Sequence, residues 1–278
     1  MISTTAVKKV ALVTGASSGM GKNFAKALLA EGLIVYAAAR RIEQMADLVR
    51  LGAIALKMDI TSEEDVQEAA RRIEQDHGGV AVLINNAGFG MYGAMEDTTM
   101  ADARYQFEVN LFGMARLTQL LLPAMRRKRA GKIINISSMG GKMYTPMGSW
   151  YHATKHAVEG WSDCLRLELS PFGIDVVIIE PGVIATEFGT VMTGPLLERS
   201  GSGPYGRMAN AVASATKSSY DRGGGSDPQV IVALILKAVR ASRPRTRYAA
   251  GKYARPMMCI RKWFGDRIFD KLVLATVK

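Results

Sequence analysis

A glycine-rich turn joins the first apolar run of the sequence to its first helical pattern. Residues 8–14 form a short run rich in β-branched side chains, and a helical pattern follows at residues 20–31. Gly15, Gly19 and Gly21 lie at the junction, in the spacing T-G-x-x-x-G-x-G. Glycines permit a tight turn and a close approach of the backbone to a pyrophosphate, which the N–H groups of the following helix then bind. The stretch predicts the first half of a dinucleotide-binding unit, with an ordinary tight turn as the alternative.

Apolar runs alternate with helical patterns along the rest of the chain. The runs with the length and composition of buried strands are residues 8–14, 33–39, 52–58, 80–84, 132–136, 174–179 and 246–250. The helical patterns are residues 20–31, 61–76, 101–128, 149–168, 228–240 and 256–274. This rhythm predicts an α/β fold, a doubly wound parallel sheet of about seven strands with helices on both faces. Ligands bind such sheets beyond the carboxyl ends of the strands.

The length of 278 residues suits one domain, although it would also accommodate two. We expect residues 1–278 to form a single domain with two additions. Residues 189–227, rich in Gly, Ser and Ala, are predicted to form a helical lid over a substrate, with a disordered loop as the alternative. Residues 251–278 are predicted to form a basic amphipathic extension.

Positive charge is concentrated at the end of the chain. The formal net charge is +11, and residues 229–278 contain twelve Lys or Arg against two Asp, a net charge of +10. Ile260, Phe264, Ile268 and Leu272 recur at a spacing of four, as on one face of a helix. Such a basic helix could lie on an anionic membrane, or pack on its own subunit or on a symmetry mate. Scattered aromatic residues without a recognised motif argue against nucleic-acid binding.

The sequence predicts neither a secretory signal nor a membrane span. Residues 1–9 contain no apolar segment typical of a signal, and no apolar run approaches the ~20 residues of a span. Cys164 and Cys259 are far apart and lack the spacing of metal ligands, so we expect two reduced thiols and no metal site. These features predict a cytoplasmic protein, with membrane association through the basic extension as the alternative.

A tyrosine and a lysine lie four residues apart in the helical pattern at residues 149–168. Tyr151 and Lys155 would therefore share one face, one turn apart. A phenol has a pKa of about 10, and a neighbouring ammonium lowers that pKa by favouring the phenolate. Ser138 follows the run at residues 132–136, where its hydroxyl could donate to a substrate oxygen. The three groups predict proton transfer, whereas a Tyr/Lys pair alone is more often a surface pair.

The end of the second apolar run predicts which dinucleotide is bound. Ala39 stands where an acidic residue would hold the ribose 2′-hydroxyl of NAD(H), and Arg40 follows it. Arginine suits the 2′-phosphate of NADP(H), because a guanidinium can bind two phosphate oxygens at once. We therefore expect NADP(H) to be favoured over NAD(H). A solvated basic start to the next helix is the alternative.

Together these motifs resemble those of the short-chain dehydrogenase/reductase (SDR) superfamily. The resemblance covers about residues 8–186 and continues more loosely to the end of the chain. Residues 135–169 are similar to the 17β-hydroxysteroid/retinol dehydrogenase-like group. The matching features, in family order, are T-G-x-x-x-G-x-G at residues 14–21, N-N-A-G at residues 85–88, Asn110, Ser138, Tyr151-x-x-x-Lys155 and Pro181-Gly182.

The resemblance implies a Rossmann-type fold and a catalytic role for four residues. Tyr151 would be the general acid/base. Lys155 would lower the pKa of that phenol and hold the nicotinamide ribose, and Ser138 would position the substrate oxygen. Asn110 would help to hold a water molecule that links Lys155 to solvent as a proton relay.

The resemblance also implies a set of cofactor contacts. Asp59 would contact the adenine, Asn86 and Ala87 would line the adenosine side, and Val183 and Thr186 would contact the nicotinamide carboxamide. Met20 stands where Ile or Leu is usual, a change that conserves volume. The implied cofactor-binding residues are Gly15, Ser17, Ser18, Gly19, Met20, Gly21, Arg40, Asp59, Ile60, Asn86, Ala87, Gly88, Tyr151, Lys155, Pro181, Gly182, Val183 and Thr186.

The activity implied is an NADP(H)-dependent interconversion of a secondary alcohol and a ketone, or of an alcohol and an aldehyde. Methionines near the predicted lid suggest an adaptable apolar pocket, which would suit a steroid-, retinoid- or lipid-like substrate. A non-catalytic redox sensor that binds NADP(H) and acts through its basic extension is the alternative. Family members are often dimers or tetramers, so we expect a homodimer or homotetramer.

Overall fold

The computed structural model describes residues 8–221 and 224–277, in which seven strands alternate with helices. Outside the described residues lie 1–7, on which the prediction of no secretory signal mainly rests, 222–223 of the predicted lid, and 278 of the extension. The strands are β1 Val10–Thr14, β2 Ile34–Ala39, β3 Ile54–Lys57, β4 Val82–Asn85, β5 Gly131–Ile136, β6 Ile174–Pro181 and β7 Arg247–Ala250. The α-helices are α1 Gly19–Ala30, α2 Ala46–Arg50, α3 Glu63–His77, α4 Met100–Phe107, α5 Gly113–Lys128, α6 Ser149–Leu169, α7 Phe188–Ser200, α8 Gly206–Asp221, α9 Gln229–Arg240 and α10 Ala254–Ala275.

The predicted parallel sheet is confirmed. Its strand order is β3-β2-β1-β4-β5-β6-β7, and every neighbouring pair is parallel. The strand order reverses at β1. Strands β2 and β3 lie on one side of β1, and strands β4 to β7 lie on the other side. Because all the strands point the same way, the residues that follow them gather at one rim of the sheet.

The sheet is buried on both faces, as parallel sheets generally are. Successive side chains of a strand point to opposite faces, so the strands contribute to two cores. On one face Val13 packs in a cluster with Phe24 of α1 and Ile235 of α9. On the other, Leu12 packs with Ile73 of α3 and other side chains of α5 and α6. This packing explains why the strand segments read as continuous apolar runs rather than as alternating ones.

Helix α3 begins and ends where the sequence indicates. Ser62 caps its N-terminus, because the Ser62 hydroxyl accepts a hydrogen bond from the backbone N–H of Asp65 at 3.2 Å. Three acidic residues occupy the first turn, where they are favoured by the positive end of the helix dipole. Gly78 ends the helix in the left-handed conformation, with φ of 68°.

The predicted single helix over residues 101–128 is wrong in its middle. The structure divides it into α4 and α5, joined by a π-helical turn at Glu108–Phe112. The turn inserts one extra residue per hydrogen-bonded ring and places Asn110 inside the protein, 2% exposed. Gly113 then begins α5 against the chain after β3, where a Cβ atom would lie 2.2 Å from the carbonyl oxygen of Ile60.

Most of the predicted lid is helical. Helices α7 and α8 pack on each other, and Met192, Leu196 and Val212 form a small apolar cluster with Tyr92 and Tyr151. The chain after β6 is also tied to the body, because Val183 and Ile184 form β-bridges with Lys252 and Ser226. The lid segment is therefore an ordered wall beside the end of β6.

The C-terminal extension forms α10, but the continuous apolar stripe expected along it is not formed. Gly265 has φ of 74° and ψ of 177°, which breaks the helix and changes the direction of the side chains after it. Phe264 and Ile268 are consequently exposed, whereas Phe269 and Val273 are buried. In the parts of the chain that the structure describes, no helix combines the length and apolar content needed to cross a bilayer.

Candidate active site

One cleft opens at the rim where the parallel strands end. Its volume is about 1250 Å³. Of the residues assigned from the sequence to catalysis or cofactor binding, the following line it: Gly15, Ser17, Ser18, Gly19, Met20, Arg40, Asp59, Ile60, Asn86, Ala87, Gly88, Ser138, Tyr151, Lys155, Pro181, Gly182, Val183 and Thr186. Gly21 and Asn110 do not line the cleft but lie behind its wall. The structure thus brings the assigned residues together from six different strand ends.

The glycine turn between β1 and α1 is packed so closely that side chains are excluded. Gly15 has φ of 65°, a conformation that favours glycine. A Cβ atom on Gly21 would lie 2.4 Å from both the Gly15 oxygen and the Asn86 Nδ2 atom. Around Gly19, by contrast, no atom of the described residues lies within 4 Å of a Cβ position. The backbone at this point therefore faces open space in which a ligand could approach it.

The first turn of α1 has the properties of a phosphate-binding site. Ser18 occupies the N-cap position in an extended conformation but makes no side-chain capping bond. No acidic residue lies in the first turn of the helix. The first N–H groups of α1 are thus not satisfied by a side-chain cap, and they carry the positive end of the helix dipole. These residues fit a pyrophosphate group.

Asn86 and Thr14 hold the ends of β1 and β4 together. The Thr14 hydroxyl accepts hydrogen bonds from the backbone N–H groups of Asn86 at 3.0 Å and Ala87 at 2.9 Å. The Asn86 side-chain amide donates to the carbonyl oxygens of Thr14 at 2.9 Å and Gly15 at 3.3 Å. Asn86 therefore lines the cleft, as the resemblance implies, while its amide N–H group fixes the glycine turn. Thr14 belongs to the glycine motif found in the sequence, but the role of its hydroxyl was not predicted, because that hydroxyl binds residues more than seventy positions away.

Arg40 stands at the mouth of the cleft with most of its side chain in solvent. Its side chain is 66% exposed, and its Nη1 atom donates to the Tyr105 hydroxyl at 3.1 Å. The Asp59 carboxylate lies 3.9 Å away and also accepts two hydrogen bonds from Thr61. Ala39, at the end of β2, offers no acceptor for a ribose hydroxyl. An exposed guanidinium at this position could hold a phosphate group.

Tyr151, Lys155 and Ser138 face one another across the inner part of the cleft. Tyr151 lies in the first turn of α6 and is 7% exposed. One turn later, the Lys155 ammonium donates to the carbonyl oxygen of Ile136 at 3.0 Å and lies 6.0 Å from the centre of the Tyr151 ring. Ser138 follows β5, and its hydroxyl accepts from the N–H of Gly140 at 3.0 Å and acts as a hydrogen-bond partner of the Tyr151 phenol.

The pKa of Tyr151 differs in direction from the sequence-based expectation. Burial raises it to about 12, and the hydrogen bond with Ser138 opposes that rise. Lys155 was expected to lower this pKa, but its own charge is disfavoured, because burial lowers the pKa of Lys155 to about 8. The negative charge of Glu159 opposes that fall. In the structure, desolvation therefore outweighs the Tyr/Lys charge interaction.

Asn110 is fixed by the π-helical turn against the loop that follows β4. Its Oδ1 atom accepts from the N–H of Phe89 at 3.0 Å, and its Nδ2 atom donates to the Phe89 carbonyl at 2.9 Å and to the Thr154 hydroxyl at 3.0 Å. A Cβ atom on Gly88 would lie 3.1 Å from Asn110 Oδ1 and 3.7 Å from Lys155 Nζ. Asn110 and Lys155 thus lie behind the same glycine of the N-N-A-G motif.

His152 has a structural role that the sequence did not indicate. It is buried on α6, its Nδ1 atom lies 2.9 Å from the carbonyl oxygen of Gly140, and its Nε2 atom accepts from the N–H of Thr145 at 3.0 Å. Burial lowers the pKa of His152 to about 4, so the ring is neutral near pH 7. His152 therefore anchors to α6 the loop that begins at Ser138. A histidine beside the tyrosine was the only sequence signal, and it has no specific meaning by itself.

The outer part of the cleft is apolar. Its walls come from the lid helices and from α10, and they include Phe188, Met192, Val212, Tyr220, Leu272 and Val277. The Phe188 ring packs against Tyr151, with ring centres 5.8 Å apart. A substrate whose oxygen reaches Tyr151 and Ser138 would therefore extend its remaining atoms along apolar walls.

Known proteins resemble this chain over most of its length. Residues 9–193 match the family model described as short chain dehydrogenase. A 3-ketodihydrosphingosine reductase of Bacteroides thetaiotaomicron is 36% identical over 264 residues, which cover 94% of this chain and 95% of that protein. The crystal structure of a short-chain dehydrogenase from Streptomyces avermitilis has a TM-score of 0.82 at 37% identity and covers 96% of this chain and 95% of its own. An actinorhodin polyketide ketoreductase with NADPH has a TM-score of 0.72 at 29% identity and covers 87% and 94%.

Proposed function

The chain belongs to the short-chain dehydrogenase/reductase family and is an oxidoreductase, and from this premise we propose that it interconverts a secondary alcohol and a ketone, with NADP(H) as its cofactor and an apolar, lipid-like molecule as its substrate. The observation that carries this proposal is the convergence of Ser138, Tyr151 and Lys155 on one cleft whose outer walls are apolar.

Each of the three polar groups has a task in the proposed reaction. A bound nicotinamide cofactor supplies or accepts the hydride. Ser138 donates a hydrogen bond to the substrate oxygen and so orients the substrate. Tyr151, whose phenol is protonated at neutral pH, gives its proton to that oxygen in the direction of reduction and becomes a phenolate. In the direction of oxidation, the phenolate accepts the proton of the substrate hydroxyl and returns to the phenol.

Lys155 and Asn110 support the proton transfer from behind Tyr151. The Lys155 ammonium lies 6.0 Å from the centre of the phenol ring, and its charge favours the phenolate that remains after proton donation. Asn110 holds Phe89 and Thr154 in place beside Lys155. We propose that proton exchange between Tyr151 and solvent passes on this side.

The preference for NADP(H) is supported by the rim of the cleft at the end of β2. Arg40 presents an exposed guanidinium there, and Ala39 supplies no carboxylate. A similar polyketide ketoreductase holds NADPH in its crystal structure. A ribose 2′-phosphate bound beside Arg40 would form charge-assisted hydrogen bonds that the hydroxyl of NAD(H) cannot form.

An apolar substrate is supported by the lid and by one relative. Phe188, Met192 and Val212 offer a substrate apolar surface, although Thr216 and Ser219 of α8 also line the cleft. A similar protein is a 3-ketodihydrosphingosine reductase. Long-chain keto lipids are therefore the first class of compound to test, with steroids and retinoids as the classes expected from the sequence resemblance.

The experiment is a cofactor and substrate comparison with the purified protein. Consumption of NADPH and of NADH is followed by absorbance over a panel of long-chain ketones and aldehydes, keto lipids, steroids and retinoids. We expect NADPH-dependent turnover to rise with the apolar length of the ketone. Preference for small polar ketones would contradict the proposed substrate class, and NADPH binding without any turnover would favour the redox-sensor alternative.

A further inference from the structure

Helix α10 leaves large apolar side chains in solvent. Trp263 is 72% exposed, Phe264 is 60% exposed and Ile268 is 51% exposed. These residues lie on either side of the break at Gly265, which directs Phe269 and Val273 into the protein instead. We refer to Trp263, Phe264 and Ile268 as the α10 apolar patch.

Cations surround the α10 apolar patch. Lys262, Arg267 and Lys271 are exposed, and within residues 8–221 and 224–277 no carboxylate lies at salt-bridge distance from them. The two acidic residues of the helix are already engaged, because Asp266 pairs with Arg261 at 2.5 Å and Asp270 accepts a hydrogen bond from the Tyr144 hydroxyl at 2.9 Å. Residues 261–271 contain four Lys or Arg against two Asp, so the net charge beside the patch is +2.

The C-terminal part of the same helix reaches the substrate cleft. Met257, Leu272 and Val273 of α10 belong to the cleft wall. Phe269 and Val273 pack with Met143, which lies in the loop that begins at Ser138 and also lines the cleft. Because Leu272 lies one turn after Ile268 on the same helix face, the exposed patch adjoins the part of α10 that lines the cleft.

We propose that the α10 apolar patch docks the protein on the surface of an anionic lipid bilayer, with the mouth of the cleft beside the lipid. Trp263, Phe264 and Ile268 enter the boundary between headgroups and acyl chains, where aromatic side chains are favoured. Lys262, Arg267 and Lys271 contact the anionic headgroups. A second copy of the chain is the less suitable occupant, because a symmetric contact would bring two sets of unpaired cations together.

This placement gives an apolar substrate a short path to the reacting groups. A keto lipid in the bilayer would move along α10 into the cleft without passing through water as a free molecule. This second step rests on the proposed function, whereas the docking itself depends only on the charges and exposed side chains of α10. An experiment can therefore contradict docking on the bilayer without contradicting the proposed function, and the reverse.

Docking is tested with the full chain by sedimentation with phospholipid vesicles, without cofactor or substrate. We expect binding to vesicles of phosphatidylcholine containing phosphatidylglycerol and little binding to phosphatidylcholine alone. Raising the salt concentration shortens the range of the charge interactions and should release the protein. Equal binding to both kinds of vesicle, or none at low salt, overturns the proposal.

Double substitutions in α10 test whether the α10 apolar patch and its neighbouring cations form the bilayer-binding surface. Trp263→Ser with Phe264→Ser should weaken binding at least tenfold, and Arg267→Glu with Lys271→Glu should do the same without removing an apolar group. The matched controls are Val49→Ser and Arg50→Glu on α2, which also replace exposed residues and should leave vesicle binding unchanged. Circular dichroism shows whether each variant is folded. The test needs only one of the two α10 double variants to be folded. A folded α10 variant that binds as well as the unchanged protein overturns the proposal.

Two further measurements, of turnover and of mass in solution, distinguish docking on a bilayer from a loss of catalysis and from contact between copies of the chain. The α10 variants should keep NADPH oxidation with a water-soluble ketone, because Trp263 and Phe264 do not line the cleft, but they should lose turnover of a ketone embedded in anionic vesicles. Light scattering gives the mass of each variant. If the Trp263/Phe264 variant changes from an oligomer to a monomer, the patch is a contact between copies and the proposed bilayer surface is wrong.

Discussion

The Glu159 carboxylate lies 3.1 Å from the guanidinium of Arg247, in the interior of the protein one helical turn beyond Lys155. Lys142 approaches the same carboxylate oxygen at 3.0 Å, and the Glu159 side chain is 4% exposed. Its other oxygen has no hydrogen-bond partner among the described residues. A partly paired buried carboxylate is costly for stability, but its negative charge opposes the loss of charge on Lys155.

Replacing Glu159 by Gln should change the pH dependence of turnover. The pKa of Lys155 is about 8, and removal of the neighbouring negative charge should lower it further. The charged lysine is present below its pKa and lost above it, so the alkaline limb of the pH–kcat profile should move to lower pH. Glu168→Gln, on the same helix but exposed, is the matched control. An unchanged alkaline limb would show that Glu159 does not act on Lys155.

The same Glu159→Gln variant should be less stable. Arg247 would keep Asp163 and Glu180 as partners, and Lys142 is partly exposed. We therefore expect the free energy of unfolding to fall by only about 1 kcal/mol. Urea unfolding at pH 7 measures the difference from the unchanged protein.

Replacing Tyr151 by Phe should remove turnover while retaining NADPH binding. The change deletes the proton donor but keeps the ring that packs against Phe188. Loss of a general acid/base should lower kcat by about a hundredfold to ten-thousandfold. The dissociation constant for NADPH is measured by fluorescence titration. Tyr36→Phe, a buried tyrosine outside the cleft, is the control and should keep its kcat, whereas substantial turnover by the Tyr151 variant would contradict the proposed role.

Replacing Arg40 by Ala should reduce the preference for NADPH. A charge-assisted hydrogen bond to a phosphate contributes about 1.5–3 kcal/mol, so the KM for NADPH should rise about tenfold to a hundredfold. The KM for NADH should change little, because its ribose carries no phosphate. Arg50→Ala replaces an exposed arginine away from the cleft and should leave both values unchanged. Equal increases for both cofactors would mean that Arg40 does not recognise the 2′-phosphate.

Replacing Glu180 by Gln should remove a pH-dependent loss of stability. Burial raises the pKa of Glu180 to about 7, with the charge of Glu159 acting in the same direction. Between pH 4.5 and 7 the folded protein therefore holds a proton that the unfolded chain releases, so the free energy of unfolding falls as the pH rises through this range. The Gln variant should lack this fall. Urea titrations of both proteins at pH 5 and pH 8 measure this fall. An identical change in the free energy of unfolding for both proteins between the two pH values would exclude Glu180 as its source.

Periodicity and turn residues were sufficient to predict the framework. The apolar runs that became β1 to β7 are buried on both faces, and the glycine and Ser-Glu signals identify the starts of α1 and α3. The cleft residues were also identifiable, because parallel strands bring the residues that follow them to one rim. The glycine turn, Arg40 and the group of Ser138, Tyr151 and Lys155 followed from the local pattern. The other cofactor contacts and the role of Asn110 were implied by the family resemblance.

The features that the sequence did not reveal depend on single residues or on distant pairs. The π-helical turn at Asn110 changes the helical period over five residues, too few to alter the apolar pattern around it. The apolar spacing of four residues predicted a continuous stripe along the extension, whereas the conformation of Gly265 breaks α10. The contact of Glu159 with Arg247 joins residues 88 positions apart. The raised pKa of Tyr151 depends on burial, which a spacing of four residues does not indicate.

Because the strands are parallel, the rim of the sheet opposite the cleft takes no part in the candidate active site. The turns that enter the strands, such as residues 51–53 before β3 and residue 173 before β6, lie at the rim opposite the cleft and contribute nothing to its walls. A linker inserted at residues 51–53 would attach the enzyme to a solid support with its entrance turned outward. The orientation of the sheet thus determines how this protein can be immobilised without obstructing access to it.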